Sequence, residues 1–383
     1  MKIFFEATPT FNNKRVPAAG IAHYIFHIYQ GMKQYDKAND YIVFGLYFLT
    51  RSTEFKELYP KDTRFKLIRY VPAKIFNLAN RRAILPPIEL MTAAKADVYL
   101  FTHFRRFPTL SGAKTATIIY DTGYHYYPET INKKNLKYLE RRVPQTVKKS
   151  DLIITISEAA KQDIVKIYGA NPEKVVVATC GIDTNKFKPG KLSESVRKKY
   201  GLPAKYLLFV GSIEPRKNIE RLVQAYNSLP AKLQKEYALV LAGGKGWNDE
   251  GIHNAIKSVK EPGRVVVTGY VDEDDIEQLY RGATLYTFPS LYEGFGMSIL
   301  EAMACDVPVL TANNSSLPEV GGDAALYANE KDVKDIASKI EFALTHQKEM
   351  QALVQKGREQ IKKFSWDKSA QVIVDSLNKL SKR

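Results

Sequence analysis

Cysteine is nearly absent: 383 residues contain two, Cys180 and Cys305. Two thiols cannot build a disulfide framework, and there is no C-x-x-C spacing for a zinc site. Both lie in apolar text, Val177-Ala178-Thr179-Cys180 and Ala302-Met303-Ala304-Cys305, so small core residues are expected. No apolar run approaches the roughly 18 residues of a membrane-spanning helix. The opening, MKIFFEATPTFNNKR, is a short apolar strand running into polar residues, too brief for a signal-peptide core. The expectation is a soluble, reduced, cytoplasmic protein. Also missing are G-x-x-x-x-G-K-[ST] and a G-x-G-x-x-G after the first strand, which argues against P-loop NTPases and ordinary dinucleotide oxidoreductases.

What is present is an ordinary globular mix, 45% apolar and 26% charged. The length exceeds what one core usually supports, so two domains are expected. The net charge is +16, and it is not spread evenly: residues 1–190 hold 30 Lys+Arg against 16 Asp+Glu, residues 191–383 hold 27 against 25. The excess peaks at residues 132–150, where Lys133, Lys134, Lys137, Arg141, Arg142, Lys148 and Lys149 face one acid, Glu140. Leu136, Tyr138, Leu139 and Val143 are interleaved, and Phe104-Arg105-Arg106-Phe107 is a second basic–aromatic knot. Such patches attract anionic lipid surfaces. A plain solvated face is the alternative, and no helix-turn-helix, RNP-type or finger pattern supports nucleic acid.

Short buried runs alternate with helical stretches throughout, which indicates parallel sheets with crossover helices. Strands are expected at 2–7, 41–49, 65–71, 98–102, 117–120 and 152–157, with a helix at 20–35. A polar stretch, 186–200, carries Pro189-Gly190 and reads as a linker between domains at 1–185 and 201–363. The pattern then restarts with strands at 206–210, 238–242, 265–268, 284–288, 307–311 and 324–327. Helices are expected at 218–229, 276–281, 299–304, 333–345, 348–363 and 365–380, with Asn218 and Ser365 as caps. The fold class is α/β, two facing Rossmann-like doubly wound domains with a cleft between them, where ligands bind outside the strands' carboxyl ends.

Three clusters stand at strand ends. In Val210-Gly211-Ser212-Ile213-Glu214-Pro215-Arg216-Lys217-Asn218, a turn glycine is followed by two cations before a helix. Fixed cations and the positive end of a helix suit a diphosphate; a surface turn with solvated bases is the alternative. In Glu293-Gly294-Phe295-Gly296-Met297, glycines let backbone N–H groups approach a ligand closely. Glu293 and Glu301 are eight apart, one placed for a sugar and one for a ribose diol, or both are simply acids favoured at a helix start. The third, Gly243-Gly244-Lys245-Gly246-Trp247, is weak on its own. Asp272-Glu273-Asp274-Asp275 looks like a D-x-D metal motif but reads better as an acidic helix start, so no metal site is expected.

V-G-S-I-E-P-R-K-N, the Glu293-to-Glu301 spacing in E-G-F-G-M-S-I-L-E-A-M-A-C, and V-P-V-L-T-A-N-N-S-S-L-P-E-V-G-G-D-A-A together resemble the GT4 family of retaining glycosyltransferases, which have the GT-B fold. The resemblance is strongest over residues 200–380 and favours mannosyltransferase-like members that build surface polysaccharides. It implies that Arg216 and Lys217 neutralise the donor diphosphate, that Glu293 contacts the transferred sugar, and that Glu301 binds ribose. Gly294, Phe295 and Gly296 match the loop whose amides hold sugar and phosphate. Gly20 matches the glycine beneath the diphosphate and Val271 the segment that reads the nucleobase; Gly211, the turn glycine after its strand, is a further donor-binding candidate.

Two departures stand out. Ala22 replaces a glycine in Gly20-Ile21-Ala22-His23-Tyr24, and Tyr120-Asp121 stands where members often carry His-Asp. Asp121, a catalytic candidate, or His125 is expected to substitute in that contact, and Tyr120, His125 and His103, which sits at another strand end, are possible sugar or acceptor contacts. By the same resemblance, the segment 364–383 crosses back to the basic, acceptor-side first domain. The expected donor is a GDP- or UDP-sugar, with no cofactor. The expected acceptor is a glycan or lipid-linked sugar, with the protein peripheral on the inner membrane face. Alternatives are a soluble-sugar synthase, a nucleotide-sugar epimerase, or a non-catalytic binding subunit.

Overall fold

The computed structural model describes residues 1–10, 20–46, 56, 59–68, 85–110, 112–247, 250–261 and 264–382. The last residues of the strands expected at 41–49 and 65–71 lie outside them. The chain divides into two compact units. The first comprises Met1–His125, Lys133–Cys180 and Ser365–Arg383, the second Tyr126–Asn132 and Gly181–Phe364.

Seven parallel strands form the sheet of the first unit among the described residues. They are β1 (Lys2–Glu6), β2 (Asp40–Leu46), β3 (Arg64–Ile68), β4 (Val98–Phe101), β5 (Lys114–Ile118), β6 (Leu152–Thr155) and β7 (Val175–Val177), in the order β3-β2-β1-β4-β5-β6-β7. Runs such as Ile3-Phe4-Phe5 and Val98-Tyr99-Leu100-Phe101 are wholly buried, as strands covered on both faces must be. The Gly20–Tyr35 helix buries Tyr24, Ile25, Ile28, Tyr29 and Met32. The Trp366–Ser381 helix packs on it so closely that a Cβ at Gly31 would lie 2.8 Å from that of Ala370.

The second unit repeats the plan with β8 (Tyr206–Val210), β9 (Ala238–Ala242), β10 (Val265–Gly269), β11 (Leu285–Phe288), β12 (Val309–Ala312) and β13 (Ala325–Ala328). They are ordered β10-β9-β8-β11-β12-β13, all parallel. In each sheet the winding reverses beside one strand pair, β1/β4 and β8/β11. Loops leaving the carboxyl ends of such a pair diverge and leave a crevice for ligands.

Several local expectations need correcting. Asn218 adopts φ 59° and makes no side-chain cap; its carboxamide donates instead to Pro289 O at 2.9 Å and Glu330 O at 2.7 Å. Ser365 precedes its helix without a side-chain cap bond. Within the stretch read as a linker, Glu194–Tyr200 is a helix capped by Ser193, whose Oγ accepts from Val196 N–H.

Candidate donor site at the β8/β11 crevice

The loops leaving β8 and β11 bring the first two sequence clusters together. After Gly211, whose N–H donates to Ala242 O at 2.9 Å, the chain forms a single 3-10 turn at Pro215–Lys217 and enters the Ile219–Asn227 helix. After β11 it runs through Glu293 to Gly296, which caps the Met297–Ala304 helix at φ 118° without any side-chain acceptor. Asn218 laces the two loops through Pro289 O, and Leu291 N–H donates to Arg216 O at 2.9 Å.

Glu293 sits at the centre. Its Oε1 accepts from Lys217 Nζ at 2.8 Å and its Oε2 from Arg216 Nη1 at 2.9 Å. Arg216 also donates from Nη1 to Tyr292 O at 2.7 Å and from Nη2 to Glu214 Oε1 at 2.9 Å. Lys217 lies 4.9 Å from the centre of the Phe288 ring. The four side chains form a charge-balanced set, two cations and two carboxylates. Burial pushes the Glu293 carboxyl up, but Arg216 and Lys217 outweigh it and hold the group down at about 2. Burial lowers the Lys217 ammonium, with Glu293 opposing. The set stays open to a ligand on one side, since 21% of the Arg216 side chain and 13% of the Lys217 side chain remain exposed.

The turn holding Glu293 is braced from the far side. Ser316 Oγ donates to Glu293 O at 2.9 Å and Phe295 O at 2.6 Å, and Glu293 N–H donates to Ser315 Oγ at 3.0 Å. Asn314 Nδ2 reaches Ser290 O at 3.1 Å. Gly294 is buried, and the Phe295 side chain packs edge-on against Phe364, so this loop offers its backbone. Glu301, one turn into the helix, accepts from the Tyr280 hydroxyl at 2.7 Å, and burial raises its pKa against that bond. Val271 follows β10 with its side chain buried.

The glycine-rich third cluster has a packing cause. A Cβ on Gly243 would fall 1.8 Å from Gly211 O, and one on Gly246 2.3 Å from Ile213 O. Asp272 and Asp275 both accept from Lys199 Nζ, at 2.7 and 2.6 Å.

The remaining expected contacts belong to the first unit. Gly20 opens its helix at φ 70°, exposed. Asp121 Oδ1 accepts from Gly123 N–H at 2.9 Å, and His125 is exposed with its N–H on Thr122 O. Tyr120, a possible sugar contact, has its hydroxyl engaged within the first unit. It is buried among Tyr24 and Phe104, and its hydroxyl donates to Thr102 O at 2.8 Å. His103 is held neutral, burial and then Arg105 taking it down to about 4. Beside it lies a buried carboxylate that the sequence reading passed over: Glu6, at the end of β1, accepts from Thr102 N–H at 3.2 Å and Arg105 Nη2 at 3.3 Å. Also missed were Glu214, Tyr280, and the segment Tyr126–Asn132. In that segment Tyr126 stacks on Tyr292 at 5.6 Å, and Thr130 O accepts from Trp247 Nε1 at 2.6 Å. Glu214 stood in a quoted motif, whereas nothing in the spacing of Tyr126 or Tyr280 marks them.

Of the basic residues at 132–150, Lys133, Lys134, Lys137, Arg141, Lys148 and Lys149 are exposed on the Lys133–Lys149 helix, and Arg142 is half-buried.

Two parallel α/β domains, the second with a charged cluster at the carboxyl ends of β8 and β11, are the architecture of the GT-B fold class. Known proteins agree. Residues 193–360 match the family described as glycosyl transferases group 1, and residues 19–186 the one described as glycosyltransferase family 4. O-antigen chain mannosyltransferase B of Escherichia coli is 34% identical over 257 residues, 66% of this chain and 67% of that protein. The serotype-specific mannosyltransferase WbdA of E. coli is 34% identical over 239 residues, 61% of this chain and 29% of that longer protein. Sucrose-phosphate synthase from Thermosynechococcus elongatus shares the fold over 99% of this chain and 98% of its own, with a TM-score of 0.74 and 18% identity. Anabaena HepE in complex with UDP-glucose does so over 99% and 100%, with a TM-score of 0.70 and 18% identity. The chain belongs to the GT4-type glycosyltransferases.

Proposed function

We propose that the protein transfers a hexose, mannose by preference, from a nucleotide diphosphate sugar to a glycan or lipid-linked acceptor in surface polysaccharide biosynthesis, with retention and without a metal. The observation that carries this is Glu293 held between Arg216 and Lys217 at the β8/β11 crevice. Relatives named as mannosyltransferases support the sugar, and a GT-B neighbour solved with UDP-glucose supports the donor class.

The chemistry asks for charge relief at the leaving group. As the anomeric bond breaks, negative charge grows on the diphosphate and the sugar becomes oxocarbenium-like. In this reading Arg216, Lys217 and the uncapped amides after Gly296 stabilise that charge, with no metal ion called on. At rest Glu293 occupies both cations. On donor binding its carboxylate turns to the sugar hydroxyls, and the cations pass to the phosphates. Glu301, ordered by Tyr280, takes the ribose diol. The acceptor hydroxyl attacks on the face the phosphate leaves and gives it the proton. The basic helix faces an anionic membrane surface and places a lipid-linked acceptor.

Lys217→Ala should cut turnover by about a hundredfold or more while shifting the thermal midpoint little, because Glu293 keeps Arg216 as a partner. Steady-state kinetics with GDP- and UDP-sugars beside a melting curve checks this. A fall in midpoint large enough to account for the lost rate would remove Lys217 from the mechanism.

A further inference from the structure

Outside the donor crevice, one groove of the first unit combines a cavity with unanswered charge. The β4–β5 connection passes through Arg105 and Arg106 beside the Lys133–Lys149 helix, and Thr146 Oγ1 donates to Phe104 O at 3.3 Å to join the two. Between them lies a cavity of about 170 Å³, lined by Arg105, Arg106, Arg142, Gln145, Thr146 and Lys149 among others. Four cations therefore share one space large enough for a phosphate or diphosphate.

Their charges are not equally met. Arg105 donates to Glu6 and lies 4.7 Å from the centre of the Phe107 ring. Arg106 donates from Nε to Thr115 Oγ1 at 3.1 Å and from Nη2 to Thr109 Oγ1 at 3.2 Å, with Asp151 and Glu89 as the acids acting on it. Arg142 differs: its Nε and Nη2 are buried and have no hydrogen-bond partner among the described residues. Burial first, then the cations Arg141 and Arg105, lower its pKa, opposed only by the Tyr138 hydroxyl. Buried guanidinium donors without acceptors are costly, and an anion removes that cost with a two-pronged contact. The exposed lysines of the same helix attract anions at long range.

We propose that this groove is a phosphate-binding site, with Arg142 donating Nε–H and Nη2–H to the anion and Arg106 and Lys149 supplying further charge. The same chemistry serves a soluble phosphate ester or the phosphate of a lipid headgroup.

The test uses the full chain in a Lys217→Ala background, so that the pair in the second unit adds no anion binding. Inorganic pyrophosphate is titrated calorimetrically at low salt against this parent, Arg142→Met and the exposed control Arg141→Met. Arg142→Met should weaken pyrophosphate by about tenfold or more, while Arg141→Met stays within about twofold. Without ligand, Arg142→Met should melt no lower than the parent, since it deletes uncompensated buried donors. Equal affinity in parent and Arg142→Met, equal loss in both variants, or a large fall in the ligand-free midpoint would overturn the site. Arg142→Lys, which keeps the charge without the fork, gives a second measure and should also bind more weakly. Vesicles of phosphatidylcholine with and without phosphatidic acid then separate the sources. Loss of phosphatidic-acid binding in Arg142→Met but not Arg141→Met assigns the lipid, and unchanged vesicle binding beside lost pyrophosphate binding assigns a soluble ester. Because groove and crevice lie in different units, failure here leaves the reading of Lys217 untouched.

Discussion

Glu293 is where the chemistry of single residues is sharpest. Two cations hold the Glu293 carboxyl down at about 2, and under the proposed function an incoming phosphate would compete with it for those same cations. Glu293→Gln removes the competitor. We expect the nucleoside diphosphate product to bind several-fold more tightly while turnover falls by about tenfold or more, a split visible by combining calorimetry with kinetics. If product affinity and rate both fell, the competition would be disproved. The pH dependence follows from the same depression. A carboxyl with a folded pKa below its unfolded one stabilises the protein above about 4.5 and loses that contribution as pH falls towards about 2. The acid limb of the stability curve should be shallower in Glu293→Gln, as acid titrations followed by circular dichroism will reveal. Part of the cluster was legible: Arg216, Lys217 and Glu293, which the structure brings together, stand in ordered motifs. Glu6 and Tyr280 were not, because each acts through a partner about twenty or more residues away, Arg105 and Glu301, and sequence spacing carries no trace of such pairs. Tyr120 shows the converse: a residue in a motif position whose hydroxyl the core has taken.

At the scale of elements, the Trp366–Ser381 helix buries Ala370, Ile373, Val374, Leu377 and Leu380, and Ser369 Oγ donates to Thr179 O at 2.7 Å. Ile373 is fully buried, so Ile373→Ala should cost about 2–5 kcal/mol, readable as a lower denaturant midpoint. Gly31→Leu should destabilise as well, because an added Cβ would lie 2.8 Å from that of Ala370; an unchanged midpoint would mean the helix pair yields. Strands and long helices could be read in advance from buried runs and periodicity, with Tyr206–Val210, Ala238–Ala242 and Val333–Thr345 matching to the residue. The helices Glu194–Tyr200 and Ala231–Glu236 could not, being short, polar segments that bury one residue each. Asn218 was legible as a special position but not as the lace between two loops, since its partners, Pro289 and Glu330, lie far along the chain.

Across the whole molecule, the +16 charge sits almost entirely in the first half of the chain. Flotation should therefore carry the protein with anionic vesicles at low salt and release it near 1 M, where the screening length shrinks to about 3 Å. Failure to float at low salt would reject the membrane reading. The first unit is assembled from three pieces of chain, and its third piece is the helix that closes over Gly20–Tyr35. Synthesis proceeds at about 5–20 residues per second, and domains fold as they emerge. The second unit, complete at Phe364, is therefore ready to fold before the first, whose apolar flank waits uncovered until Ile373 and Leu377 leave the ribosome. The earliest-made half is the last to be sealed, and a stalled ribosome that never reaches residue 365 leaves behind a finished second unit tethered to a first one whose apolar flank is bare.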